Sequence, residues 1–294
     1  MRSSSRIFRA IEPWLYLLPT LLGLLLFSAG AVVASFLISF TSWDMITRPE
    51  LVWFQNYLSL WRSDLFWEVV LNTLYFILLA VPLSVSCSLA LALAANTSLR
   101  GITFFRTAYF LPVVSSMIAV ALVWSWIFNP EYGLLNYLLQ VTFGVKGPAW
   151  LTSTAWAMPA MVIVTVWKGL GYSMVIFLAG LQTIPQDLYH AATMDGAGVW
   201  KRFRHITFPM LSPTTFFVVV ITLINAFQVF EQTYVLTRGG PANSTLTMSY
   251  YIYQNAFQYF QMGKAAALSY VLFAVIFVVT LIQFRIQKRW VFYG

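Results

Sequence analysis

Thr183-Ile-Pro-Gln-Asp-Leu-Tyr-His-Ala-Ala-Thr-Met-Asp-Gly-Ala-Gly-Val-Trp-Lys-Arg-Phe-Arg-His-Ile-Thr-Phe-Pro209 is a polar, punctuated island between two strongly apolar stretches. Pro185 fits the first turn of a helix, where its missing N–H is harmless, and Asp187 suits the positive N-terminal end. The pattern predicts a helix over Gln186–Met194, with Gly196 placed to end it in a left-handed cap. Leu188, Ala191 and Ala192 recur at i, i+3 and i+4, a narrow apolar face with almost no bulk that lets another surface approach the backbone. The following Val199–Ile206 reads as amphipathic, with Val199, Phe203 and Ile206 on one side and Lys201, Arg202 and Arg204 on the other. Pro209 and Pro213 bracket the next apolar run. On spacing alone, an interfacial connector and a compact docking knob fit equally well.

The apolar runs on either side decide the class. The chain has 294 residues, 60% hydrophobic and only 9% charged, with a mean hydropathy of +0.76. A soluble domain is about a quarter charged, so only a membrane protein fits. The net charge of +8 lies in short clusters between apolar runs, which suits topology signals and not nucleic-acid binding. One cysteine, Cys87, excludes an intramolecular disulfide and a cysteine-ligated metal cluster.

A spanning helix needs roughly 20 apolar residues, and six stretches qualify: about Trp14–Phe40, Val69–Ala95, Phe104–Phe128, Ala155–Leu178, Leu211–Leu236 and Ala265–Phe284. Six spans put both termini on one side. That side holds eleven of the 17 Lys and Arg residues and the opposite loops five, with Lys168 inside a span. The positive-inside rule therefore places both termini and the 183–210 segment in the cytoplasm. The start, Arg2-Ser-Ser-Ser-Arg-Ile-Phe-Arg9, is like a signal-peptide n-region, but the apolar run behind it far exceeds the ~7–15 residues of a signal core. The first span is taken as retained, with cleavage near Ala29–Ala34 as the alternative. The outer loops, about 41–68, 129–154 and 237–264, are too short for a catalytic domain.

The segment from Asp187 to Leu211 resembles the "EAA" signature of permease subunits of ABC importers, E-A-A-x-x-D-G-A followed further on by I-x-x-P. Ala191, Ala192, Asp195, Gly196, Ala197, Ile206 and Pro209 match, and His190 stands where Glu is usual. The resemblance extends to Ala179–Pro185, Asn225–Thr245, Tyr250–Phe257, Met262–Leu268 and Gln283–Val291, patterns similar to the carbohydrate-uptake branch. It implies an all-α membrane protein of six transmembrane helices with the type I ABC importer permease fold, forming one permease domain over residues 1–294. It implies that Leu188, His190 and the matching residues form a coupling helix for a separate ATPase. The implied partners are a second homologous permease subunit in a heterodimer, two ATP-binding subunits that carry ATP and Mg, and an extracytoplasmic sugar-binding protein. Membrane lipids surround the assembly, in the inner (cytoplasmic) membrane.

Ionisable groups inside spans are functional candidates by default. Lys168 lies near the middle of the fourth span in Trp167-Lys-Gly-Leu-Gly-Tyr172, where two glycines are expected to loosen the helix; broken helices commonly line transport sites. Snorkelling, or capping of freed carbonyls, is the alternative for Lys168. Glu231 sits near the outer end of the fifth span, and Asn225, Gln228 and Glu231 recur every three residues. With Trp124, Tyr172 and Tyr234 they supply the amides, carboxylate and rings that a polyhydroxyl ligand needs. Interhelical bonding is the alternative for each residue taken singly. Arg238-Gly239-Gly240-Pro241 opens a turn-rich outer loop, expected either to receive the binding protein or to serve as a plain connector.

No G-x-x-x-x-G-K-[ST] occurs, so the chain does not itself cradle ATP phosphates. No metal site, catalytic constellation or cofactor of its own is expected. A glycerol-3-phosphate-type permease and an ion-coupled secondary sugar carrier are the alternatives. The latter needs paired intramembrane charges or repeat symmetry, and neither is evident.

Overall fold

The computed structural model describes residues 14, 16–97 and 100–292; the basic Arg2–Arg9 stretch lies outside the described residues. Helix α1 is Tyr16–Ile38, followed by strands β1 (Thr41–Ser42) and β2 (Glu50–Leu51) and helix α2 (Gln55–Trp61). Then come α3 (Asp64–Ala95), α4 (Ile102–Val114), α5 (Met117–Ile127), α6 (Leu134–Phe143), α7 (Ala157–Gln182) and α8 (Gln186–Met194). Helix α9 is Val199–Met210. Helices α10 (Ser212–Phe227), α11 (Met248–Tyr253) and α12 (Met262–Gln287) follow.

Among the described residues, helices α1, α3, α7 and α12 are each long and apolar enough to cross a membrane, and the pairs α4–α5 and α9–α10 make up to six spans if each is counted as one. The third span expected over 104–128 is two helices bent by 101°. The break is local: Ser115 and Ser116 take extended ψ angles of 145° and 133°, three residues beyond Pro112, which stays within α4. The α9–α10 pair bends by 66° at Leu211. The fifth span expected to run on to Leu236 stops being helical after Phe227 and resumes at Glu231, passing into a π-helical turn over Thr233–Thr237.

The chain forms two compact units, residues 1–63 with 252–271 and residues 64–251 with 272–294. In the first, β1 and β2 pair antiparallel with Thr41 opposite Leu51. The Ser35 hydroxyl lies 3.2 Å from the Tyr270 hydroxyl, and Phe36 meets the Tyr270 ring edge-on at 5.1 Å.

In the second unit α7 is the central element, packed against α3, α4 and α10. Phe76, Ile77 and Ala80 of α3 meet Met158, Met161 and Val162 of α7 and Ala226 and Phe227 of α10 in one core. Without a hydrophobic drive between helices in lipid, small residues at contacts matter most. A Cβ at Gly171 would lie 2.2 Å from Tyr109 O and 2.8 Å from Phe110 Cα, so α4 passes directly over it. The expectation that Gly169 and Gly171 loosen this helix is corrected: α7 is continuous, because α4 packs on one glycine. Gly169 has no atom within 4 Å of its would-be Cβ. Gly171→Val should therefore cost about 1–3 kcal/mol through overpacking and lower the thermal midpoint in detergent. Gly169→Ala should stay within about 0.5 kcal/mol of the parent. Equal midpoints for the two variants would contradict this packing.

A candidate transport cavity and docking helix

A cavity of about 540 Å³ opens in the second unit where α3, the α4–α5 junction, α7 and the end of α10 converge. Of the residues singled out for a substrate path, Lys168, Tyr172, Asn225, Gln228 and Glu231 all line it. Asn225, Gln228 and Glu231 are exposed. Among the described residues none of these three side chains has a hydrogen-bond partner in the chain. Unpartnered amides and a carboxylate in an apolar bundle are tolerable only where water or a ligand reaches them.

Trp124 and Tyr234 lie outside the lining. Trp124 packs edge-on to Trp167 at 5.6 Å and against Phe128 at 5.1 Å, a wall of the core around Val120 and Trp150. Tyr234 stacks on Phe230 at 5.6 Å, and Phe230 itself faces the cavity.

Lys168 donates from Nζ to Val113 O at 3.2 Å. Val113 stands just before the α4–α5 bend, where its carbonyl loses the helical N–H four residues on. The ammonium thus closes a freed carbonyl, the capping role weighed from sequence, but on a neighbouring helix and not at its own glycines. It also remains on the cavity lining beside Gly169.

The second break shapes the cavity more directly. Gln228, Val229 and Phe230 leave the helix, and Thr247 Oγ1 donates to Val229 O at 3.0 Å. Thr247 also lies 3.1 Å from the Thr233 hydroxyl, and Thr245 Oγ1 donates to Thr237 Oγ1 and Gly240 O, each at 2.7 Å. Thr233, Thr245 and Thr247 are fully buried. This threonine lattice is the feature sequence reading missed, together with Ser84, Thr165, Ser173, Thr222 and Gln232 on the lining. The loop assigned to binding-protein contact is only partly available. Arg238 is exposed, Gly240 and Pro241 are half-buried, and Gly239 is buried, its would-be Cβ 3.0 Å from Leu246 Cδ1.

Helix α8 has the bounds the sequence predicts. Pro185 takes the N-cap position at ψ 130°. At the other end Gly196 adopts φ +71°. Ala197 N donates to Ala192 O at 2.8 Å and Gly196 N to Thr193 O at 3.0 Å, the paired bonds of a Schellman cap. No residue of α8 is buried. Leu188, His190, Ala191, Asp195 and Gly196 are exposed; Ala192, Ala197, Ile206 and Pro209 are half-buried. The helix is held at its root by Ile184, 3% exposed, and by Tyr189 OH, 2.9 Å from Thr207 Oγ1 of α9. Arg202 Nη1 donates to Thr193 Oγ1 at 3.3 Å. Val199, expected on an apolar face with Phe203 and Ile206, is 76% exposed. Val199 is the first residue of α9, and the π-helical turn at Phe203–Thr207 shifts Ile206 relative to the preceding turn.

Known proteins give this geometry a context. The family model of the inner membrane component of binding-protein-dependent transport systems matches residues 88–291. The lactose transport system permease protein of Rhizobium radiobacter is 34% identical over 293 residues, covering 98% of each chain. The sulfoquinovosyl glycerol transport system permease protein of Agrobacterium fabrum is 35% identical over 287 residues, covering 94% of this chain and 93% of its own. Among solved structures, a chain of a bacterial alginate ABC transporter, in complex with an alginate pentasaccharide-bound periplasmic protein, superposes with a TM-score of 0.85 at 25% identity over 98% of both chains. With helices enough for up to six spans, a type I importer permease fold and no ATP-binding loop of its own, the chain belongs to the multi-pass inner-membrane permease components of binding-protein-dependent ABC transport systems, which are transport subunits and not enzymes.

Proposed function

We propose that this chain is the permease subunit of an ATP-driven importer that translocates a di- or oligosaccharide or a glycosidic osmolyte handed over by an extracytoplasmic binding protein. The observation that carries the reading is the cavity at the α10 break, with Asn225, Gln228 and Glu231 unpartnered on its wall. Its size falls within the roughly 300–1,000 Å³ of small-molecule sites. Sugar hydroxyls can exchange water for those amides and that carboxylate, while Tyr172 and Phe230 offer ring faces. The relatives named for lactose and sulfoquinovosyl glycerol support the saccharide class. A glycerol-3-phosphate-type substrate fits less well, because among the described residues Lys168 is the one cation on the lining, and Glu231 faces the same space.

In this reading the chain acts as one transmembrane domain, paired with a second homologous permease subunit. Two ATP-binding subunits hold ATP and Mg, and this chain needs no cofactor. The excess of basic residues on the side of the termini supports a cytoplasmic α8. Helix α8 would seat in the ATPase through Leu188, His190, Ala191 and Ala192. Movement there passes through Tyr189 and Thr207 to α9, and by chain continuity to α10 and its break. The spans then alternate between outward and inward access. Arg238 and the half-buried Gly240-Pro241 contribute to the surface that receives the binding protein.

Three outcomes are expected. Glu231→Ala should cut uptake in proteoliposomes about tenfold or more, the effect of losing a charged hydrogen bond worth ~1.5–3 kcal/mol, and Gln228→Ala about two- to tenfold, for an amide bond worth ~0.5–1.5 kcal/mol; unchanged uptake in both would refute the assignment of the path. Lys168→Met should leave Val113 O unpaired, costing about 1–3 kcal/mol and lowering the thermal midpoint, with Lys168→Arg restoring part of it. Gly196→Pro cannot adopt the positive φ of the cap and should dissociate or uncouple the ATPase while the chain still inserts in the membrane. Normal sugar-stimulated ATPase activity in that variant would refute the coupling role of α8.

A further inference from the structure

Within the unit made of residues 1–63 and 252–271, another cleft of about 530 Å³ opens between the β1–β2 hairpin and the turn that enters α12. Its frame is closely determined. Met262 N donates to Trp43 O at 2.9 Å. Asn56 Nδ2 donates to Ser39 O at 2.8 Å and Thr41 O at 2.9 Å. A Cβ at Gly263 would lie 1.7 Å from Thr41 O, so the two segments meet there only because the residue is glycine. Inside the hairpin loop Asp44 Oδ1 accepts from Thr47 N and Thr47 Oγ1, both at 2.7 Å, and from Ile46 N at 3.0 Å. Trp43 Nε1 donates to Thr47 O at 2.9 Å. Met45 and Phe260 hold φ of 69° and 54°. Such conformations are costly for side-chain-bearing residues and persist where the surroundings over-determine them, often at binding sites.

The groups this frame leaves unused are chemically mixed. Arg48, Glu50, Gln261 and Lys264 line the cleft. Among the described residues none of them has a side-chain hydrogen-bond or ion-pair partner in the chain. All the Asp44 bonds fall on Oδ1, leaving Oδ2 open. The Thr47 N–H, with its hydroxyl and the Ile46 N–H, holds the Asp44 carboxyl below its usual range, so Oδ2 is an acceptor at neutral pH. Tyr259 and Phe260 present half-exposed rings, 56% and 53%. Exposed opposite charges gain little by meeting each other and stay available to a ligand. Two carboxylates against two cations give no preference for a simple anion or cation. Donors and acceptors interspersed beside ring faces suit a neutral polyhydroxyl compound.

The geometry points to a saccharide-binding subsite in this hairpin cleft, with its own lining distinct from that of the cavity at the α10 break. Glu50 and Asp44 accept from sugar hydroxyls, Arg48, Gln261 and Lys264 donate to ring and hydroxyl oxygens, and Tyr259 or Phe260 covers a C–H face. The inference rests on the saccharide reading above.

Saturation-transfer NMR on the assembled transporter in lipid nanodiscs, with lactose, trehalose and raffinose as probes, tests it beside uptake of the same sugars in proteoliposomes. For a sugar that is taken up, the doubly substituted Glu50→Ala, Gln261→Ala chain should bind about tenfold more weakly, and Lys264→Gln should weaken binding in the same direction. The cleft-dependent signal should persist in Gln228→Ala. Binding that ignores the cleft variants and vanishes in Gln228→Ala overturns the inference while the saccharide reading stands. A defect confined to stimulation by the binding protein, with sugar binding intact, makes the cleft a protein-docking surface and overturns it equally. Absence of uptake for all three sugars removes the saccharide reading for them and the inference with it.

Discussion

A backbone carbonyl or N–H in lipid has no water to turn to, so every place where a spanning helix breaks must be closed from within the chain. Side chains close several such places in the second unit. The Arg106 guanidinium donates to Ala95 O at 2.7 Å, at the last residue of α3. Lys168 donates to Val113 O ahead of the α4–α5 bend, and Thr247 donates to Val229 O in the gap that follows α10. The last two sites border the same cavity. Broken helices create the polar space, and the side chains that mend the breaks fix its shape.

That constraint explains why the polar stripe sits where it does. An amide buried in hydrocarbon without a partner costs several kcal/mol, so Asn225, Gln228 and Glu231 could not point at lipid. Along an unbroken α10 the three would drift around the helix. The turn at Gln228 and the restart at Glu231 re-aim the later two, and all three reach one wall. Phe230, in the gap itself, turns to the same wall and stacks on Tyr234 behind it.

How much of this was legible depends on the range of the interaction that fixes each feature. Helix α8 was readable to the residue because its signals are local: Pro185 at its entry, Gly196 at its exit, nine residues between. The bend at Ser115–Ser116 lies just beyond Pro112, which α4 accommodates, and a run of apolar residues on both sides masked its size. The break after Phe227 has no glycine or proline at Gln228-Val229-Phe230. It is held by Thr247, 18 residues further along, and no window of local sequence contains both partners. The glycines of α7 misled for the matching reason: Gly171 serves the backbone of α4, some sixty residues earlier, and not the flexibility of its own helix.

The mounting of α8 bears on how a small helix could transmit force. It buries none of its own residues fully, and the Tyr189 ring is its packing contact with the core at its root. Its root is fixed by Ile184 in the core with Met174, Phe177 and Leu211. Its flank is fixed by polar ties from Tyr189 and Thr193 to Thr207 and Arg202. On the proposed reading, a helix held at one end and tied along one side moves as a lever together with α9. Leu211 belongs to the same core as Ile184 and marks the 66° bend into α10. On the proposed reading, displacement of α8 by an ATPase therefore acts on the pivot of the helix that ends at the cavity. On the proposed reading, a small residue such as Ala191 on the exposed surface of α8 lets the ATPase approach the backbone closely, beside the larger exposed Leu188 and Met194.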